Sequence, residues 1–193
     1  MDSFYSTKEL MNLGLGEVGN NVLISKNAKL YCPQNIFLKD NVRIDDFCII
    51  SAGTKVCVGS YVHISAFVVL FGGSGIIVGD YCSISSFSAI YSESDDFSGK
   101  SLVNPWFPQK FKPGYKKGKV SLRNFSNVGA HSIIMPGVTL GEGSVVGSNS
   151  LVVSDCEEWS INAGTPSKKI EMRHYEISKM MDVFLNSNSG NEK

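Results

Sequence analysis

The sequence predicts an all-β solenoid of stacked hexapeptide-repeat coils, interrupted by one long arm and followed by a C-terminal helix. Three observations carry this expectation. First, an aliphatic residue recurs every six positions: Leu38, Ile44, Ile50; then Val58, Ile64, Leu70; then Val78, Ile84, Ile90; then Leu122, Val128, Ile134, Leu140, Val146, Val152. Second, a small or modest side chain follows four residues later, as in Val42, Cys48, Thr54, Val62, Val68, Ser74, Cys82, Ser88, Ser94, Ser126, Ser132, Val138, Ser144 and Ser150. Third, glycine often follows the aliphatic directly, as at Gly59, Gly79, Gly129, Gly141 and Gly147.

A period of six fits neither the 3.6 of a helix nor the 2 of an alternating strand. It fits a short flat strand plus a turn, three of which close one triangular coil. Two-residue insertions after Ile50 and Leu70 lengthen the first coils. The aliphatic fills the interior, the small residue sits where the chain turns, and the glycines are expected to supply positive φ at tight corners. Stacked coils share one apolar column and bond only to their neighbours.

The ends follow from the need to cover exposed coils. Residues 1–21 read as an N-terminal capping segment with a short helix over Thr7–Leu15, and 22–36 as a degenerate first coil within a solenoid spanning 22–158. Residues 159–193 read as a turn, a helix and a tail. Ile177, Met180, Met181 and Phe184 form an apolar stripe that would cover the last coil or a neighbouring subunit. Residues 186–193 read as disordered. The interruption, about 92–121, is too long for a passive connection. It holds Trp106, Phe107, Phe111 and Tyr115, and five lysines (110, 112, 116, 117, 119) that form either a solvated rim or a phosphate contact.

With 193 residues the chain builds one domain, and Lys plus Arg balances Asp plus Glu at 18 each. That balance gives no reason to expect nucleic acid as a partner. No stretch is long and apolar enough for membrane insertion, and the N-terminus lacks a signal-peptide pattern, so a cytoplasmic protein is expected. Five cysteines without a C-x-x-C pair read as reduced thiols, with Cys48 and Cys82 in the core.

The hexads, the arm and the stretches Val128-Gly129-Ala130-His131-Ser132 through Gly137-Val138 and Asn162-Ala163-Gly164-Thr165-Pro166-Ser167-Lys168 resemble the hexapeptide-repeat acyltransferases. The likeness is to galactoside, maltose and surface-polysaccharide O-acetyltransferases and covers about residues 22–172. It implies a left-handed helix and a homotrimer with active sites in the clefts between solenoids. It also implies acetyl-CoA as acyl donor, passing Gly129, Ala130, Gly147 and Ser148, with Thr165, Lys168 and Lys169 toward the phosphate end. Ser154 stands where some relatives carry a lysine.

Transfer of acetyl to a hydroxyl needs a base and a held thioester. Of three histidines, His174 lies beyond the coils, and His131 points outward beside the coenzyme glycines. His63 lies at a corner next to Ser65, where sugar O-acetyltransferases carry a substrate-site asparagine. The glycine-histidine-proline turn that supplies their base is replaced here by Ser94-Asp95-Asp96-Phe97. The expectation is that His63 acts as base while Asp95 or Asp96 of an adjoining subunit orients it through Nδ1, with an aspartate as the other candidate base. Ser65, Asp45, Asp46 and Trp106 are expected on the acceptor. The main reading is O-acetylation of a sugar or polysaccharide (O-antigen or capsule). The alternatives are N-acetylation of a nucleotide-linked amino sugar and a decayed binding module. A metal site would need more ligating histidines than His63 and His131, so no metal is expected.

Overall fold

The computed structural model describes residues 3–189; residues 190–193, the end of the expected tail, lie outside them. The chain forms a parallel β-helix with three flat faces. Face 1 carries six strands, starting at Glu17–Val18 and ending at Thr139–Leu140. Face 2 carries eight, from Leu23–Ile24 through Arg43–Ile44, His63–Ile64, Ser83–Ile84, Asn127–Val128 and Val145–Val146 to the closing hairpin. Face 3 carries six, from Lys29–Tyr31 to Leu151–Val152. The first coil starts at Glu17, which pairs with Phe37, rather than at residue 22.

All fifteen periodic aliphatics are at most 2% exposed, and they stack in register through the molecule, as in Ile44, Ile64, Ile84 and Val128. The residues four positions on are buried too, except Thr54, Ser74 and Ser94. These three lie at the corner after face 3, where the insertions and the arm occur. There the interior is filled by Ala52 and Val56 and by Ile76 and Val120, beside the buried Ser92.

The glycines do something other than expected. Gly59, Gly79, Gly129, Gly141 and Gly147 do not have positive φ. The left-handed positions lie two residues later and are mostly aromatic: Phe47, Tyr61, Phe67, Tyr81, Phe87, Phe125 and His131. A left-handed non-glycine residue costs roughly 1–2 kcal/mol. Ring stacking along each corner offsets part of that. After face 1, Tyr61, Tyr81 and Phe125 stack at 4.8–5.5 Å; after face 2, Phe47, Phe67, Phe87 and His131 stack at 4.7–4.9 Å. The glycines answer a different need, which is room for the next coil. A Cβ on Gly129 would lie 2.6 Å from the backbone nitrogen of Ser148, and one on Gly147 would lie 2.9 Å from Cβ of Ala163.

Helix α1 (Thr7–Met11) is fixed by a capping box between Ser6 and Glu9 and buries Leu10 against the core. The far end is closed by an antiparallel hairpin, Ser160–Gly164 with Ser167–Met172, whose Thr165–Pro166 bond is cis. Arg173 Nη1 donates to the carbonyls of Phe125 and Gly143, tying the hairpin to two coils. Helix α2 (Glu176–Ser189) extends through residues 186–189, which the sequence reads as tail. It runs back along the first corner, with the edge of Phe184 on the Tyr61 ring at 5.8 Å, instead of covering the last coil. Met180, assigned to its buried stripe, is 70% exposed. Cys48, Cys82 and Cys156 are buried, and burial pushes the Cys48 and Cys156 thiols up to about 11. No helix of the described residues is long and apolar enough to cross a membrane.

Candidate active site

The corner after face 2 gathers most of the residues singled out from the sequence. Strand register places Arg43, His63, Ser83 and Asn127 in one outward column on face 2. One residue past each strand end, the backbone ladder continues the same stacking: Asp45 N–H donates to Ile64 O, Ser65 N–H to Ile84 O, Ser85 N–H to Val128 O, and Gly129 N–H to Val146 O. The corner is therefore polar and acidic in the early coils (Asp45, Asp46, Ser65). It becomes small and bare in the late ones (Gly129, Ala130, Gly147, Ser148). Acceptor and coenzyme candidates thus share one edge of the prism. His131 ends the aromatic ladder of that edge, its ring parallel to Phe87 within 6°.

His63 is about half exposed, and its Nε2 donates to Asp45 Oδ2 at 2.7 Å. Asp45 Oδ1 accepts from Arg43 Nε, also at 2.7 Å. Partial burial pushes the Asp45 carboxyl up, but the bonds from His63 and Arg43 outweigh it and hold it below the usual value. Within the chain the carboxylate on His63 is Asp45, through Nε2; the expected contact of Asp95 or Asp96 with Nδ1 belongs to an adjoining subunit. Asp46 accepts from the Ser25 hydroxyl and from Asn27 Nδ2. Ser3 and Phe4, expected only as cap, wall a pocket of about 350 Å³ with Arg43, Asp45, Asp46 and Ala66.

The arm leaves from the corner after face 3. Its root is a short antiparallel pair, Glu93–Ser94 with Lys116–Lys117. Glu93 accepts from Ser74 Oγ at 2.6 Å and Tyr115 OH at 2.9 Å. Burial, reinforced by Glu93, pushes the Tyr115 phenol up to about 12. Lys112 is neither a solvated rim nor a free phosphate contact. It is 6% exposed, lies 2.5 Å from Asp95 Oδ1, donates to Asn104 O and sits 4.4 Å from the Tyr115 ring. The Lys112 bond holds the Asp95 carboxyl below its usual value, against desolvation and with help from the Asn104 N–H. Asp96 is lowered by the Ser98 N–H and hydroxyl, which outweigh its desolvation. Both are firm anions near neutral pH. Trp106 is 89% exposed and Phe97 82%. Replacing Lys112 by methionine is expected to free the arm, read as faster limited proteolysis between residues 95 and 115 with an unchanged far-ultraviolet spectrum.

At the last coils, Thr165 Oγ1 donates to Asn149 O, and Lys169 pairs with Glu157 at 2.5 Å. Lys168 and Lys169 line a groove of about 250 Å³ with Ser154, Asp155 and Ser167. His174 is exposed, 3.9 Å from Glu176. Among the described residues no group of three or more His, Cys, Asp or Glu side chains converges to hold a metal ion. Sequence reasoning missed Arg43, Phe4 and the buried role of Lys112. Arg43 carried a signal, because a 20-residue coil places it beside His63.

No family model matches the chain. The dTDP-4-amino-4,6-dideoxy-D-glucose acyltransferase of Escherichia coli is 36% identical over 183 residues, covering 94% of this chain and 95% of the relative. The solved structure of AntD, an N-acyltransferase from Bacillus cereus in complex with dTDP and 3-hydroxybutyryl-CoA, is 46% identical. Its TM-score is 0.95, with 98% of this chain and 100% of that one covered. A maltose O-acetyltransferase from Clostridium difficile shares the fold at 19% identity and TM-score 0.56, over 86% of this chain and 74% of that one. With its stacked hexads and an end-to-end match to these sugar acyltransferases, the chain belongs to the hexapeptide-repeat acyltransferase family.

Proposed function

We propose that the protein transfers the acyl group of an acyl-CoA to the amine of a nucleotide-linked 4-amino sugar. The observation that carries this reading is the full-length likeness to a dTDP-4-amino-4,6-dideoxy-D-glucose acyltransferase and to the N-acyltransferase AntD. It favours an amine over the hydroxyl acceptor of a polysaccharide, the main expectation from sequence. The site supports it independently. The base-bearing turn of the O-acetyltransferases is absent, and the acids in its place, Asp95 and Asp96, are pinned as anions with depressed proton affinity. Neither is suited to deprotonate a hydroxyl. An amine is a nucleophile once a single proton is lost, and a fixed carboxylate attracts its ammonium form.

The roles follow the edge of the prism. Asp45, Asp46 and Ser65, with Trp106 and Asp95 or Asp96 from an adjoining arm, hold the acceptor. Gly129, Ala130, Gly147 and Ser148 leave room for the pantetheine, and Thr165, Lys168 and Lys169 meet the phosphate end. The side-chain-free edge at Gly129 and Gly147 fits such a ligand. Acyl-CoA supplies a thioester carbonyl. As the amine nitrogen bonds to that carbon and the carbon–sulfur bond breaks, His63 Nδ1 takes the proton the amine loses. It returns the proton to the departing sulfur, so amide and thiol are the products.

A homotrimer is part of the proposal. After Lys29 in the first coil, the outer column of face 3 is apolar (Ile49, Val69, Ala89, Ile133, Leu151), whereas that of face 2 is polar in its middle (Arg43, His63, Ser83, Asn127), between Leu23 and Val145. A second copy against face 3 would lie beside the site corner, and its arm could cover that corner with the exposed Trp106. A soluble cytoplasmic enzyme acting on a soluble nucleotide sugar fits this reading.

The test is thiol release from acetyl-CoA and 3-hydroxybutyryl-CoA with dTDP-4-amino-4,6-dideoxyglucose, dTDP-glucose and free sugars as acceptors. Turnover is expected with the amino sugar and at least about 10³-fold less with the hydroxyl analogue. Equal turnover on both would overturn the assignment.

A further inference from the structure

We infer that Arg43 and Asp45 form a positioning relay that sets the tautomer and the proton affinity of His63. This rests on the proposed role of His63 as proton acceptor and extends it to two residues that do not meet the reacting atoms.

The relay starts in the repeat. Arg43 and Asp45 flank the buried Ile44, so both side chains face outward, and strand register sets Arg43 directly beside His63 one coil later. The two oxygens of Asp45 are divided between them. Oδ1 takes the Arg43 Nε–H and Oδ2 takes the His63 Nε2–H, each at 2.7 Å. Because a carboxylate only accepts, this geometry puts the imidazole proton on Nε2 and leaves Nδ1 as the lone-pair nitrogen. The guanidinium is braced over the Phe4 ring at 5.2 Å. Phe4 is held in turn by a bridge to Ser25 and the flanking bonds from Tyr5 N–H to Ile24 O and Lys26 N–H to Ser3 O. The N-terminal segment therefore reaches His63 through three contacts.

The charges around His63 within the chain are few. The coil below presents Arg43 and Asp45, with Asp46 engaged by Ser25 and Asn27. The coil above presents the uncharged Ser83. A carboxylate at hydrogen-bond distance favours the protonated form of an imidazole. Arg43, bonded to the far oxygen, opposes that pull. Asp45 supplies orientation and tautomer, and Arg43 shares the charge of the carboxylate that holds the ring.

The two residues therefore predict opposite shifts. In the full-length protein, the histidine ring signals are followed by NMR against pH, with His63 assigned by its loss in His63→Gln. Arg43→Met is expected to move the His63 midpoint up by roughly one unit, Asp45→Asn to move it down, and Arg43→Lys to restore most of the original value. The acid limb of the kcat/KM profile is expected to move with each midpoint. A structural role alone lowers the melting temperature without opposite displacements. If folded Arg43→Met and Asp45→Asn both keep the original midpoint, the relay is refuted. If the midpoints move in opposite directions while the acid limb stays fixed, the relay stands and His63 is removed as the proton acceptor.

Discussion

His63→Ala is expected to lower kcat by about 10²- to 10⁴-fold, the usual contribution of a positioned general base. The KM for acyl-CoA is expected to change little. His63 lies on the third strand of face 2, away from the late-coil residues Gly129, Gly147, Thr165 and Lys168 assigned to the coenzyme. Stability should hardly change, since the ring is about half exposed and packs no core. The same substitution leaves the half-buried Asp45 with its bond from Arg43. Wild-type turnover in the variant at pH 6.5 would remove His63 from the mechanism.

The column of buried aliphatics was legible because the repeat leaves the solenoid little choice: each of the fifteen positions is inside. The corners were less legible. Sequence places glycine at a turn by its freedom of φ, yet in this molecule the left-handed residue is an aromatic that stacks on its counterpart one coil away. The glycine sits elsewhere because a Cβ there would meet the next coil's backbone. Both facts depend on contact between coils, which a single hexad does not display. The site divides the same way. His63, Asp45, Ser65 and the late glycines fall on one edge because the repeat counts them there. The pairing of His63 with Asp45 depends on a diagonal reach across one coil, and that of Lys112 with Asp95 on the path of an irregular loop. Neither follows from periodicity. The preference for an amine became visible only from the pinned state of the arm carboxylates and from the relatives.

The core prediction with the largest effect concerns Ile84. It is fully buried and sits in register between Ile64 and Val128, under the outward Ser83 and beside the corner that carries the site. Ile84→Ala removes methyl groups from a column whose neighbours are held by backbone ladders above and below, so the walls have little freedom to close on the void. The expected cost is about 2–5 kcal/mol, which corresponds to a fall in melting temperature of roughly 5–15 °C for a chain of this size. Ile84→Val should cost about 0.5–1.5 kcal/mol and keep the gradation in order. Because each coil is bonded only to its neighbours, the weakened coil also divides the solenoid into an early half bearing His63 and a late half bearing Gly129 and Gly147. Hydrogen exchange should then reveal faster opening at Ile64, Ile84 and Val128 than at Ile50 or Val152. A uniform loss of protection along the whole column would mean that the coils unfold as one unit, and would contradict this local coupling between core and site.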